Sequence, residues 1–249
     1  EQMESVTNYP EGDLADFYRR IRDALAYENM YEAAARYTHR YGEEREWGIN
    51  YTYSSESEDE NNDYATSRQS GDSRNREHVW DAEYIHVLTL HWSHRLGDKT
   101  KLSAGYELEH LHAEQNFHVS DLVGTEYVDN ADQSSDFTHM RLINSLYATA
   151  EAQLGMWKLL GGLRGEYVSQ ENRFISDGTS ASQHYASVYP TLHATYAVDR
   201  HNELMLSYSL RVNRPEGSDM NPFPERINPL SMQAGNPDLK PEKIHSIEA

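Results

Sequence analysis

The chain contains no cysteine in 249 residues, which rules out a disulfide framework and any thiolate metal site. Basic residues are scarce: 22 Lys and Arg stand against 41 Asp and Glu, a net charge of −19. Gripping phosphates needs clustered Lys and Arg, so this deficit argues against nucleic-acid binding. No stretch approaches the roughly 20 apolar residues of a membrane helix, and that excludes helical spans alone. GxSxG, P-loop, GxGxxG and HExxH patterns are also lacking, so the sequence carries no enzyme signature. Glu1 opens without the basic and apolar regions of a signal peptide, and Ala249 stops inside what reads as a strand. The chain therefore reads as an internal segment.

What is present is alternation. A mean hydropathy of −0.85 suggests a soluble acidic protein. A strand that crosses a bilayer needs only about 10 residues, half of them facing a polar lumen, so a barrel scores as hydrophilic too. Tyrosine is abundant, 18 against 5 Phe, as suits side chains half in an interface and half in water. From Ala186, the residues Val188, Pro190, Leu192, Ala194, Tyr196 and Val198 share one face. After the polar turn 199–202, Leu204, Leu206, Tyr208, Leu210 and Val212 do the same against Met205, Ser207, Ser209, Arg211 and Asn213. This hairpin is apolar on one side only.

The same period runs upstream. Tyr31, Ala33, Ala35, Tyr37, His39 and Tyr41 pair with Trp47, Ile49, Tyr51 and Tyr53 across a turn at 42–45. Leu88, Leu90, Trp92 and Leu96 lead into Gly97-Asp98-Lys99, and Leu102, Ala104, Tyr106 and Leu108 lead out. Met140 to Leu154 alternates with one polar intruder, Asn144, then turns at Gly155-Met156 into Leu159, Gly161, Leu163, Gly165 and Tyr167. About nine strands result. Between them, residues 54–81, 113–136 and 172–183 lack apolar periodicity and read as solvated loops. Residues 1–26 read as a loop segment with a short amphipathic helix over 13–26, capped by Asp13, with Leu14, Phe17, Tyr18, Ile21 and Leu25 at helical spacing. The turns near 43, 98, 155 and 200 are short while the other connections are long, and Trp47, Trp92 and Trp157 all lie close to short turns. Alternating short and long connections and an indole level are marks of a bacterial outer-membrane barrel.

Clusters with chemical potential are weak. Glu56, Glu58, Asp59, Glu60 and Asp63 lack the regular spacing of a Ca²⁺ loop and read as a solvated acidic stretch. His91 with His94, and His110 with His112, supply two ligands each and no third, so no metal site is assigned. Glu107 with Glu109, and Arg164 with Glu166, fit a salt-bridged lumen wall better than an acid/base couple. No cofactor is expected.

The run YSLRVNRP at 208–215, the following Met220-Asn221-Pro222-Phe223, and GNPDLKPE at 235–242 resemble the barrel of TonB-dependent outer-membrane receptors. The likeness is closest to the outer-membrane β-barrel family common in Bacteroidetes-type bacteria, and extends more weakly through GLRGEY, LSAGYELE and YTHRYGEE. The resemblance implies an all-β fold: an antiparallel up-and-down transmembrane β-barrel, with residues 27–249 forming part of its wall and the plug lying outside this sequence. It also implies uptake of a scarce solute, whether small molecule, glycan or peptide. The partners it implies are outer-membrane lipid, a TonB energy-coupling complex acting through the plug, and a surface lipoprotein. The motif positions are Asn213, Arg214, Pro215, Asn221, Pro222, Gly235, Asn236, Pro237, Leu239, Lys240, Pro241 and Glu242. They read as a stiff outer loop that caps one strand and starts the next, with ligand contact as the second reading. A soluble acidic β-rich binding or adhesion module is the competing interpretation.

Overall fold

Period-two patterning over segment after segment can only be satisfied by strands that pair in register, and the structure is built that way. The computed structural model describes residues 2–7, 18–68, 71–176, 178–228 and 231–249. Its strands are β1 (Gln2–Thr7), β2 (Tyr18–Gly42), β3 (Arg45–Arg68), β4 (Gly71–Leu96), β5 (Thr100–Val123), β6 (Glu126–Asp129), β7 (Ser135–Leu154), β8 (Trp157–Phe174), β9 (Thr179–Ala197), β10 (Glu203–Asn213), β11 (Glu225–Asn228), β12 (Ser231–Gln233) and β13 (Glu242–Glu248). One antiparallel meander runs in the order β1-β2-β3-β4-β5-β7-β8-β9-β10-β13, with β6 folding back on β5. The described strands form an open wall, with β1 and β13 at its edges.

Residues directly opposed in an antiparallel pair share a face, so the register fixes the facing. Trp47 lies opposite Trp92 and Trp92 opposite Ala104, while Leu163 lies opposite both Ala148 and Pro190. That face is the apolar one, and its large residues are bare: Leu146 is 69% exposed, Leu163 56% and Leu206 54%. An apolar surface of this extent does not face water in a stable soluble protein. The polar intruder that β7 places on it, Asn144, accepts a hydrogen bond from the Tyr106 hydroxyl at 2.7 Å, so its amide oxygen is not left unsatisfied among hydrocarbon. Most of the buried side chains lie on the opposite, inner face, where Leu111, Phe137, Ile143 and Val168 form an apolar patch high on the wall.

Near the short turns the outer face carries interlocked aromatics. The Trp92 indole N–H donates to Tyr41 Oη at 3.0 Å, Tyr37 packs on Trp47 at 5.5 Å, and Trp157 packs on Tyr196 at 4.7 Å. Further up, Tyr51 Oη and His86 Nδ1 are 2.8 Å apart, and Tyr53 packs against His86 at 4.9 Å. Leucines and alanines fill the band between, as they do between the two aromatic girdles of a membrane barrel.

Three expectations need correction. Residues 18–26 are not helical but form the first part of β2, paired along its length with β3; residues 13–17 lie outside the described set. Apolar residues at helical spacing were overruled by a partner strand distant in sequence. Arg20 reaches Glu77 at 3.1 Å and stacks over Tyr64 at 3.6 Å, while Arg22 bonds Asn62 at 2.7 Å and Glu60. Burial, with the Glu77 carboxylate beside it, pushes the Tyr64 phenol up to about 12. Second, the acidic connection at 54–81 is ladder, not loop, over 54–68 and 71–81, since β3 and β4 pair from Arg45 out to Arg68; residues 69–70 lie outside the described set. Third, most of 113–136 is strand as well, in β5 and β6, and 172–183 adds the ends of β8 and β9. Strands of 24 to 26 residues are more than twice what a bilayer requires, so the upper halves of β2 to β5 stand beyond it.

Arg in place of Leu163, mid-strand on the outer face, is expected to cost about 2 to 4 kcal/mol in lipid-coupled unfolding. Leu206→Arg, nearer its turn, should cost less, and Ser207→Arg on the inner face should be mild. Equal tolerance at Leu163 and Ser207 in a denaturant titration from liposomes would contradict the facing. Tyr106→Phe, which strands Asn144, should cost about 1 to 3 kcal/mol in the same titration.

Candidate functional site

Six prolines between Asn213 and Glu242 keep the connection out of the main sheet's ladder, with only the short pair β11 and β12 inside it, so it must be held to the wall by other means. Its ends are tied directly: Asn213 and Glu242 are cross-strand partners of β10 and β13, which are neighbours in the sheet. Its two motif halves are clasped backbone to backbone. The Gly235 N–H donates to the Asn221 carbonyl and the Asn236 N–H to the Asp219 carbonyl, both at 2.7 Å. A Cβ on Gly235 would sit 2.4 Å from the Asp219 carbonyl oxygen, so only glycine permits the clasp. Asn236 then sets a turn: its side-chain oxygen accepts from the Asp238 N–H at 3.0 Å, its carbonyl from the Leu239 N–H at 3.2 Å, and Pro237 occupies the second position. Asn221 does likewise, accepting from the Phe223 N–H across Pro222. Leu239 is half-buried beneath the clasp.

The loop folds inward over the wall. Arg214, half-buried beside Pro215, ion-pairs with Glu166 on β8. Glu166 also accepts from Arg164 at 2.7 Å, and Arg164 reaches Glu107 at 2.7 Å and Ser145 at 2.8 Å. A chain of alternating charge thus crosses the inner faces of β5, β7 and β8 and ends on the motif arginine. Arg141 pairs with Glu109 at 3.3 Å just above it. Met220 is fully buried on the inner wall, where the side-chain amides of Gln170 and Asn172 point N–H groups at its sulfur at 3.7 and 3.6 Å. Pro237 is fixed from the wall by Gln183, which donates to its carbonyl at 2.9 Å.

Two hollows result. One, of about 700 Å³, lies between Tyr185, Tyr189, Val212 and the motif residues Lys240 and Pro241. The buried hydroxyls of Tyr185 and Tyr189 there have no hydrogen-bond partner among the described residues. The other, of about 450 Å³, lies between Gly217 and Ser218 of the loop and the inner faces of β3, β4, β5 and β7. The sequence signalled Arg164, Glu166 and Glu107 as wall residues, and they are. It gave no sign of Met220 as the loop's anchor, nor of Gln170, Asn172 and His139 as its seat, because polar residues on an inner face look alike until something lands on them.

The two histidine pairs differ in placement. His91 packs over Gly48 on the inner face, while His94, bonded to Tyr41 at 3.2 Å, is on the outer one. His110 and His112 are both on the outer face, with His110 near His86 at 6.1 Å. The acidic stretch also divides: Asp59 and Asp63 face outward to His78 and Arg76, and Glu60 faces inward to Arg22.

A one-sided meander with lipid-compatible aliphatics between aromatic levels and a charged inner wall defines an outer-membrane β-barrel. The sequence model of the outer membrane protein beta-barrel family matches residues 39–249, and the chain belongs to that family. Its place is the outer membrane. Solved structures that overlay on it include the ferric citrate transporter FecA in the unliganded form, 10% identical with a TM-score of 0.46, over 80% of this chain and 36% of that one. Another is the ferric yersiniabactin uptake receptor FyuA from Yersinia pestis, 10% identical with a TM-score of 0.39, over 99% of this chain and 45% of that one. The chain spans less than half the length of either. Comparison with curated proteins gives no match.

Gly235→Ala is expected to force Asp219 away and open the clasp, at about 1 to 3 kcal/mol. Hydrogen exchange should then accelerate at Gly235 and Asn236 while β7 and β8 stay protected. Unchanged exchange at those two amides would refute the clasp.

Proposed function

We propose that this chain is the barrel portion of a TonB-dependent outer-membrane receptor that takes up a scarce solute. The observation that carries the reading is the motif loop 214–241, which turns into the lumen instead of outward and is pinned there by Arg214 and Met220. A wall of structural or adhesive purpose gains nothing from hollows on its inner face. A receptor needs them at the level where solute arrives from outside, and loops on a rigid scaffold are where binding groups gather. The motif sequence favours the TonB-coupled class, and the unpaired edges of β1 and β13 favour further strands beside them, since an open edge in hydrocarbon strands its backbone groups.

On this reading the wall binds and admits, and coupling to an inner-membrane energy source moves the solute on. The full-length protein is expected in the detergent-soluble outer-membrane fraction. Its deletion should abolish growth on its solute at limiting concentration, as should loss of TonB. Recovery in the soluble fraction would end the reading, and growth that needs the protein but not TonB would end its energy-coupled form.

A further inference from the structure

The hollow under Gly217 is built from carboxylates. In the register of β3 and β4, Glu56 lies directly opposite Glu83, and Glu58 directly opposite Asp81. All four are on the inner face and line the cleft, and Glu216 adds a fifth acid from the loop. Glu114 also borders the cleft, but its carboxylate is held by His112 at 2.9 Å. Like charges directly opposed, as Glu56 and Glu83 are, destabilise a sheet, and a wall needs no such arrangement for its own sake. No ion pair joins Glu56, Glu58 or Glu83 to any described residue. The single guanidinium in the cleft, Arg141, already pairs with Glu109.

A second, independent feature points to a ligand. His139 lines the same cleft and is only 1% exposed. Its Nδ1 lies 2.6 Å from Asn172 Oδ1, and Asn172 is oriented by the bond from its own amide to Met220, so Nδ1 carries the proton. The lone pair is then on Nε2, which is buried without a hydrogen-bond partner. More than a dozen residues above the short turn at Gly155, His139 stands beyond the bilayer, and burial holds its pKa below the ordinary histidine value. A neutral imidazole with an unpartnered acceptor beside carboxylates that offer only acceptors favours a positively charged donor of N–H bonds, with the Arg141 guanidinium the one cationic group of the lining.

We propose that this cleft binds an organic cation through ammonium or guanidinium groups, selecting the positively charged solutes among those the receptor admits. The assignment rests on the uptake reading above. The Glu56–Glu83 rung and Glu58 beside it attract separated charges, Leu111, Phe137 and Ile85 supply an apolar floor for the stem between them, and a volume of about 450 Å³ suits a polyamine or a short basic peptide. A bare metal ion is the poorer fit, because no group of three ligating side chains converges among the described residues.

The test uses the full-length protein purified from outer membranes, with spermidine as probe and calorimetry as readout. Spermidine should bind and weaken as salt rises, while triacetylspermidine and citrate should not bind. The double variant Glu56→Gln/Glu83→Gln should lose about tenfold or more in affinity. Glu151→Gln, elsewhere on the inner wall, should leave it unchanged, and heat-modifiable migration on gels will show that each variant is folded. Equal binding of triacetylspermidine, binding of calcium alone, or a folded double variant with unchanged affinity would overturn the cation assignment. A protein that still supports TonB-dependent growth yet binds no spermidine would lose this assignment and keep the uptake reading, whereas recovery in the soluble fraction would remove both.

Discussion

The structure depends on one constraint: at membrane depth, every backbone N–H and C=O must find its partner within the protein. An unbroken antiparallel ladder from β2 through β10 meets it, with a bulge at Arg40 and Gly42 where β2 turns into β3 outside the hydrocarbon. Once the ladder is obligatory, side chains have only two directions to take, and the rest follows from which solvent lies on each side. Aliphatics point to acyl chains, and charged groups point to the lumen. Even the exception is resolved within the same rule, since Asn144 meets its partner Tyr106 on the outer face rather than reaching for water.

The membrane-spanning part was readable because both solvents leave their mark on alternate residues. Every apolar face drawn from the sequence between Tyr31 and Val212 is the outer face in the structure, and the short turns at 43–44, 97–99 and 155–156 are where the pattern breaks. The upper strands were not readable for the complementary reason. Above the bilayer both faces meet water, so Ser54 to Arg68 can be polar on either side while its backbone continues the same ladder. The signal of a strand is its contrast, and there the contrast is gone. The helical spacing failed similarly over residues 18–26, because it weighs only neighbours in sequence, and the partners of Arg20 and Arg22 lie 38 to 57 residues away.

The site was legible in part. Its motif residues could be named, and their stiffness follows from the prolines. Their inward direction could not, because it depends on what the wall offers: an apolar patch at Leu111, Phe137, Ile143 and Val168 that the sheet itself leaves open. In a two-layer protein a second sheet or a helix would cover such a patch. Here Met220 and the backbone around Gly217 take that place.

The manner of attachment explains how one segment can be stiff and yet separable from the wall. Between Arg214 and Pro241 the loop shares no ladder with the sheet; an ion pair to Glu166, a thioether seated on two amides and a bond from Gln183 hold it. The clasp at Gly235 and the turn at Asn236 are internal to the loop. Attachment through side chains, without a shared ladder among the described residues, places the loop below the ladder-bound barrel on the scale of local stability. Motion of the loop as a body therefore costs the barrel none of its backbone bonds. It would bare Glu166 and the hollows together, because the arginine that neutralises the wall and the chain that roofs the clefts are the same segment.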